Sequence, residues 1–140
     1  MKDYVLLTLG LIGSTISNFI GGLPASITTL IFFMFADYFL GILNAMFFKK
    51  SDKTETGGLS SKVGFKGLAK KSCILIFVIV GAKIDILLGT NYVKDGVCIA
   101  FIVNELVSMV ETSNLMGVPM PPIIINCIDI LKQKENNKND

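Results

Sequence analysis

The sequence predicts an all-α integral membrane protein, with four transmembrane helices in two hairpins joined by a basic cytoplasmic loop. Three observations predict it. Hydrophobic residues make up 51% of the 140 positions and charged residues 17%, whereas an ordinary soluble domain carries about 25% charge. Apolar stretches recur whose helical length, at about 1.5 Å per residue, approaches or exceeds a hydrocarbon core of about 30 Å. All 13 basic residues are lysine, and 11 of them lie at Lys2, within residues 49–71 or beyond residue 131.

The first helix covers about residues 4–20, YVLLTLGLIGSTISNFI, and GGLP at residues 21–24 breaks it. The second covers 25–48 and is apolar except for Asp37, Asn44 and a few hydroxyls. Residues 49–72, KKSDKTETGGLSSKVGFKGLAKKS, hold seven lysines, two acids and four glycines and read as the basic loop. Apolar character returns at 73–89, CILIFVIVGAKIDILLG, and TNYVKD makes a tight turn into 96–112, GVCIAFIVNELVSMVET. Residues 1–122 thus form a membrane domain, and residues 123–140 a short amphipathic helix with a polar C-terminal tail. With both termini cytoplasmic, the inside segments hold all of the lysines except Lys83 and Lys94, as the positive-inside rule requires. A three-span version, with helix 1 at the interface, is the alternative. A signal peptide cleaved near LPAS is a further one.

The polar residues inside these segments demand an explanation. A charged side chain at the centre of a membrane helix costs roughly 2.5–3.5 kcal/mol. Asp37, Lys83, Asp85 and Glu105 must therefore face other helices, one another or water. Asp37, Gly41, Asn44 and Phe48 follow i, i+4, i+7, i+11 and share one face of helix 2. Asn104, Ser108 and Glu111 share a face of helix 4, with Glu105 beside them. Lys83 and Asp85 are two apart and point to different sides, so Lys83 is expected to pair with Asp37 or Glu105. Such residues either fix helix register as buried pairs or line an aqueous path in a multi-copy assembly. On helix 1, Gly10, Gly13, Ser14, Ser17 and Gly21 form a ladder of small residues, which is how membrane helices approach closely. It serves either association between copies or packing within one. Lys49, Lys50, Lys62, Lys66, Lys70 and Lys71 suit anionic lipid headgroups.

Other function classes find little support. A net charge of +2 does not make a nucleic-acid binder. Histidine is absent, and Cys73, Cys98 and Cys127 are single and far apart, so neither a disulfide framework nor a zinc site is expected. There is no phosphate-binding glycine loop. The SSK at residues 60–62 reads as part of a solvated basic loop and not as a Ser–Lys dyad. No enzyme activity and no cofactor are expected.

DYFLGILNA (37–45), LSSKVGFKGLAKK (59–71) and NELVSMVETSNLMGVPMP (104–121) occur in one order with the right spans between them. Together they resemble the toxin-secretion and phage-lysis holin family of clostridial bacteriophages and their relatives, over about residues 34–122. Thr112 stands where the family carries an asparagine, and PPIIINCIDIL stays apolar until Lys132. The resemblance implies a holin that oligomerises in many copies in the host cytoplasmic membrane. It forms lesions, collapses the membrane potential and releases a cytoplasmic endolysin, or exports a large toxin. The alternatives are a small ion-conducting or transporter subunit, and an antiholin or membrane adaptor. In the holin reading, Asp37, Lys83 and Glu105 are paired or neutral in small assemblies and face water in large ones.

Overall fold

The computed structural model describes residues 1–21 and 24–139, and side chains except those of residues 13, 16–21, 138 and 139. Every regular element among them is helical. They are α1 (Lys2–Gly21), α2 (Ala25–Leu43) running on into a π-helical turn (Asn44–Phe48), α3 (Ser61–Leu88), α4 (Tyr92–Leu115) and α5 (Pro122–Asn139).

Local chemistry sets the boundaries. The carbonyl of Pro24 receives the Ile27 and Thr28 N–H groups to start α2. Lys49, left-handed at φ 52°, ends the π-helical turn. Ser60 is extended, and its hydroxyl accepts the Val63 N–H at 3.4 Å, capping α3. The expected loop over 49–72 is therefore only half loop. Its second half is the first twelve residues of α3, with Lys62, Lys66 and Lys70 exposed one turn apart. The density of lysine concealed a helix start that the serine pair announces. α4 likewise begins at Tyr92, four residues before the expected segment. In α5, Pro122 stands at the first position and the Pro121 carbonyl accepts from Ile124 and Ile125. The helix continues to Asn139, through the stretch expected to be a polar tail.

α4 is the hub and packs against α2, α3 and α5. Ser26 meets Asp95, and Asp37 and Glu105 share one partner. These pairs keep a nearly constant sequence offset, so α2 and α4 run parallel, with α3 antiparallel to both and packed mainly on α4. Leu30, Met34, Val78, Cys98, Ile102, Leu106 and Ile128 of α5 form the apolar core. The described side chains of α1, at residues 2–12, 14 and 15, are all exposed.

The polarity is inverted relative to a soluble domain. Buried side chains include Asp37, Asn44, Asp85, Glu105, Thr112 and Ser113. Exposed ones include Phe32, Phe35 and Phe39 on α2 and Ile76, Phe77, Ile79, Ile86 and Leu87 on α3. An apolar exterior of this extent marks a surface made for something other than water. Among the described residues, Ala25–Phe48 alone is long and apolar enough by itself to cross a membrane, at a mean hydropathy of 1.8. The expected four spans are thus matched by composition in one helix. Charges thin the signal in α3 (Lys71, Lys83, Asp85) and α4 (Lys94, Asp95, Glu105, Glu111).

α3 and α4 approach closely at Gly81: an added Cβ would lie 3.3 Å from Lys94 Cα and 3.4 Å from a Val97 methyl. Gly81→Val should therefore destabilise by about 1–3 kcal/mol through overpacking. Gly96→Ala, with open space around the new methyl, should be neutral or gain up to about 1 kcal/mol of helix stability. Unfolding midpoints in detergent compare the two.

Candidate functional site

Three stripes at alternating four- and three-residue spacing meet in the bundle: Leu30, Met34, Asp37, Gly41 and Asn44 on α2; Gly64, Gly67, Lys71, Ile74, Val78, Gly81 and Asp85 on α3; Cys98, Ile102, Glu105, Met109 and Thr112 on α4. This is the spacing of a helix seam. Each stripe carries one charged residue partway along it, Asp37, Lys71 and Glu105, and the α3 stripe ends on a further one, Asp85.

Those three charges form one cluster. Lys71 Nζ donates to Asp37 Oδ2 at 3.0 Å and to Glu105 Oε2 at 2.7 Å. Asp37 is 7% exposed and Glu105 3%. Removing one partner of such a buried pair leaves an unpaired charge and costs roughly 3–5 kcal/mol. Two carboxylates share one ammonium, so the cluster carries a formal charge of −1.

Its surroundings are built for close approach. Tyr38 donates its hydroxyl to the Gly64 carbonyl at 3.1 Å, and the ring lies over Gly67. A Cβ at Gly64 would sit 3.2 Å from that hydroxyl. Beside the cluster is a cavity of about 270 Å³, bounded by α2, the loop before α3, α3 and α4. Asp37, Asn44, Lys70, Lys71, Asn104, Glu105 and Ser108 contribute to its wall. Asn44 is 2% exposed, and its Oδ1 is buried without a hydrogen-bond partner. It opens the π-helical turn, a feature that recurs at functional sites. That turn also takes Phe48 off the expected stripe: Phe48 is exposed and outside the cavity wall.

The remaining expected residues are distributed as follows. Lys83 is exposed and makes no ion pair among the described residues; the expectation that it neutralises Asp37 or Glu105 is corrected to Lys71, which the sequence had placed at the lipid surface. Position 83 lies off the α3 seam, whereas 71 lies on it. Starting helix 3 at 73 truncated the seam and hid that fact; the spacing 64, 67, 71, 74, 78, 81, 85 was the available signal. Asp85 belongs to a different structure. Its Oδ1 accepts from Thr90 Oγ1 at 2.7 Å and Val93 N at 2.9 Å, and its Oδ2 from Lys94 N at 2.9 Å. It thus caps the start of α4, where free N–H groups and the helix dipole favour a carboxylate. Asn104 is exposed at the cavity rim, Ser108 is half-buried and Glu111 is exposed. Lys49, Lys50, Lys62, Lys66 and Lys70 are exposed, as headgroup contacts require. Gly10 and Ser14 lie on the exposed face of α1, while Gly13, Ser17 and Gly21 lie outside the residues whose side chains are described. No group of three or more metal-ligating side chains occurs among the described residues.

The chain is similar to an uncharacterized protein of Listeria innocua serovar 6a, 34% identical over 139 residues, covering 97% of this chain and 94% of the relative. A protein of Listeria monocytogenes serovar 1/2a matches at the same identity and coverage. An uncharacterized 14.9 kDa protein encoded in the nagH 3′ region of Clostridium perfringens is 28% identical over 138 residues, 97% of this chain and 96% of the relative. No solved structure matches. The model of the bacteriophage holin family matches residues 14–133, a range that takes in the end of α1, the whole three-helix seam and most of α5, and by that match the chain belongs to the bacteriophage holin family.

Proposed function

We propose that this protein acts as a holin in the host bacterial cytoplasmic membrane. It oligomerises there into lesions that collapse the membrane potential and let a cytoplasmic endolysin reach the wall, or let a large toxin out. The observation that carries the reading is the inverted bundle: the Asp37–Lys71–Glu105 cluster inside, phenylalanines and isoleucines outside. A charged cluster that a small assembly buries is one that a large assembly can turn toward water. The protein is not an enzyme in this reading and needs no cofactor.

The four apolar helices pass through the bilayer as two hairpins, with both termini and the lysine-rich loop on the cytoplasmic side. α3 has 28 residues, about 42 Å of helix, so its first turns project beyond the hydrocarbon. There Lys62, Lys66 and Lys70, with Lys49 and Lys50, meet anionic headgroups. α1 supplies the association face through Gly10, Gly13, Ser14, Ser17 and Gly21, a reading supported by the exposure of its described side chains, Gly10 and Ser14 among them.

Induced expression in a bacterium, with and without a wall hydrolase lacking a signal sequence, tests the reading. The expected result is a delayed, abrupt loss of membrane potential, with lysis when the hydrolase is present. Sustained growth and potential despite confirmed insertion would overturn it in favour of an antiholin or a transport subunit. Asp37→Leu leaves Lys71 paired with Glu105 and cancels the surplus charge. It should keep insertion intact and shift the onset of lysis; an unchanged onset would remove the cluster from the trigger.

A further inference from the structure

We infer that the cavity between α2, α3 and α4 binds one partly dehydrated monovalent cation through carboxylate and amide oxygens. The inference does not rest on lesion formation. It starts from charge: Asp37 and Glu105 carry two negative charges and Lys71 one positive. One surplus negative charge remains at a site where uncompensated charge is costly. The oxygens follow. Among the described residues Lys71 is the donor to both carboxylates, through Oδ2 of Asp37 and Oε2 of Glu105, so the second oxygen of each keeps lone pairs for a ligand. Asn44 adds a third, independent oxygen, since its Oδ1 is buried and unpartnered on the same cavity. A buried acceptor left unmatched costs about 1–3 kcal/mol, so the cavity's occupant must be a donor or a cation.

The charge selects among occupants. An anion meets two carboxylates. A divalent cation would overcompensate the single surplus charge beside an ammonium. Water satisfies Asn44 but leaves the charge in place. A sodium or potassium ion meets both demands with hard oxygen ligands. The cavity of about 270 Å³ has room for the ion and several of its waters, each taking about 30 Å³.

The test uses the full-length protein in detergent micelles at neutral pH, in sodium, potassium or N-methylglucamine chloride at equal ionic strength. Sodium, potassium or both should raise the unfolding midpoint over N-methylglucamine, by roughly 5–10 °C near saturation; which salt acts names the ion. Asn44→Leu should abolish that difference while keeping the N-methylglucamine midpoint at or above that of the unsubstituted protein. Asn44→Asp should enlarge the difference by adding a second surplus charge. Equal midpoints in all three salts would overturn the proposal, because the carboxylates would then share a proton instead. A salt effect equally large in Asn44→Leu would overturn it too. If Asn44→Leu fails to fold, an Asn44→Asp protein with the unsubstituted salt dependence has the same consequence.

Discussion

Lys71→Met should lose about 3–5 kcal/mol of folding stability, the cost of leaving buried charges without their partner, while Lys83→Met should stay within about 0.5 kcal/mol. The two residues look alike in the sequence: each is a lysine bordering or interrupting the same apolar run. Their environments differ. Lys71 donates to Asp37 and Glu105 at 3.0 and 2.7 Å with its side chain 16% exposed; Lys83 is exposed on the outer side of α3. Removing Lys71 leaves two neighbouring carboxylates facing each other in a low-dielectric seam. One of them must then take up a proton, so the Lys71→Met protein should recover stability as pH falls. The sign follows from the carboxylates: their protonated forms no longer repel. Lys71→Met/Asp37→Leu should regain part of the loss at neutral pH, because a single buried carboxyl remains. Denaturation midpoints of the four proteins across pH decide the matter; equal losses at positions 71 and 83 would contradict the assignment.

Asp85→Ala should be the next most damaging change, since it removes three hydrogen bonds to one carboxylate, and bonds to a charged group are stronger than neutral ones. The carboxylate closes the α3–α4 turn. Gly89, left-handed at φ 67°, ends α3 and donates its N–H to the Asp85 carbonyl. The Asp85 side chain then takes the Thr90 hydroxyl and two amides of α4. Alanine orphans all three donors in one tight turn. Amide hydrogen exchange at Val93 and Lys94 should accelerate along with the fall in midpoint. Glu111→Ala, at an exposed carboxylate, supplies the comparison and should shift neither. If Asp85→Ala left those amides protected, the capping role would be wrong.

Much of the fold was legible before any coordinates. Low charge, apolar runs and clustered lysines gave helices throughout and placed α2 to the residue, ending at Phe48 once its π-helical turn is counted. A turn after Gly89 was also legible, because glycine after an apolar helix and a polar cluster leave few conformations for the chain, but it was expected over residues 90–95 and α4 begins already at Tyr92. The start of α3 was not, because lysines in a helix's first turns and lysines in a loop have the same composition; only the Ser60 cap separates them. α5 extended through a stretch whose polarity argued against helix, since Ile128 and Leu131 dock on the core and packing of one apolar face outweighs weak local preference.

For the site, the sequence by itself determined that Asp37 and Glu105 must face other helices, one another or water, because no apolar solvent tolerates them bare. It determined the rough cost of leaving them charged in lipid as well. Only the tertiary structure decided which lysine answers, that Asp85 turns away to cap α4, and that Asn44 is left with an open acceptor beside a cavity. The physical reason is that pairing depends on the rotation of each helix about its own axis. Rotation is set by the whole seam, and a seam is visible only when the helix boundaries are right: starting α3 at residue 73 and not at Ser61 exchanged Lys71 for Lys83.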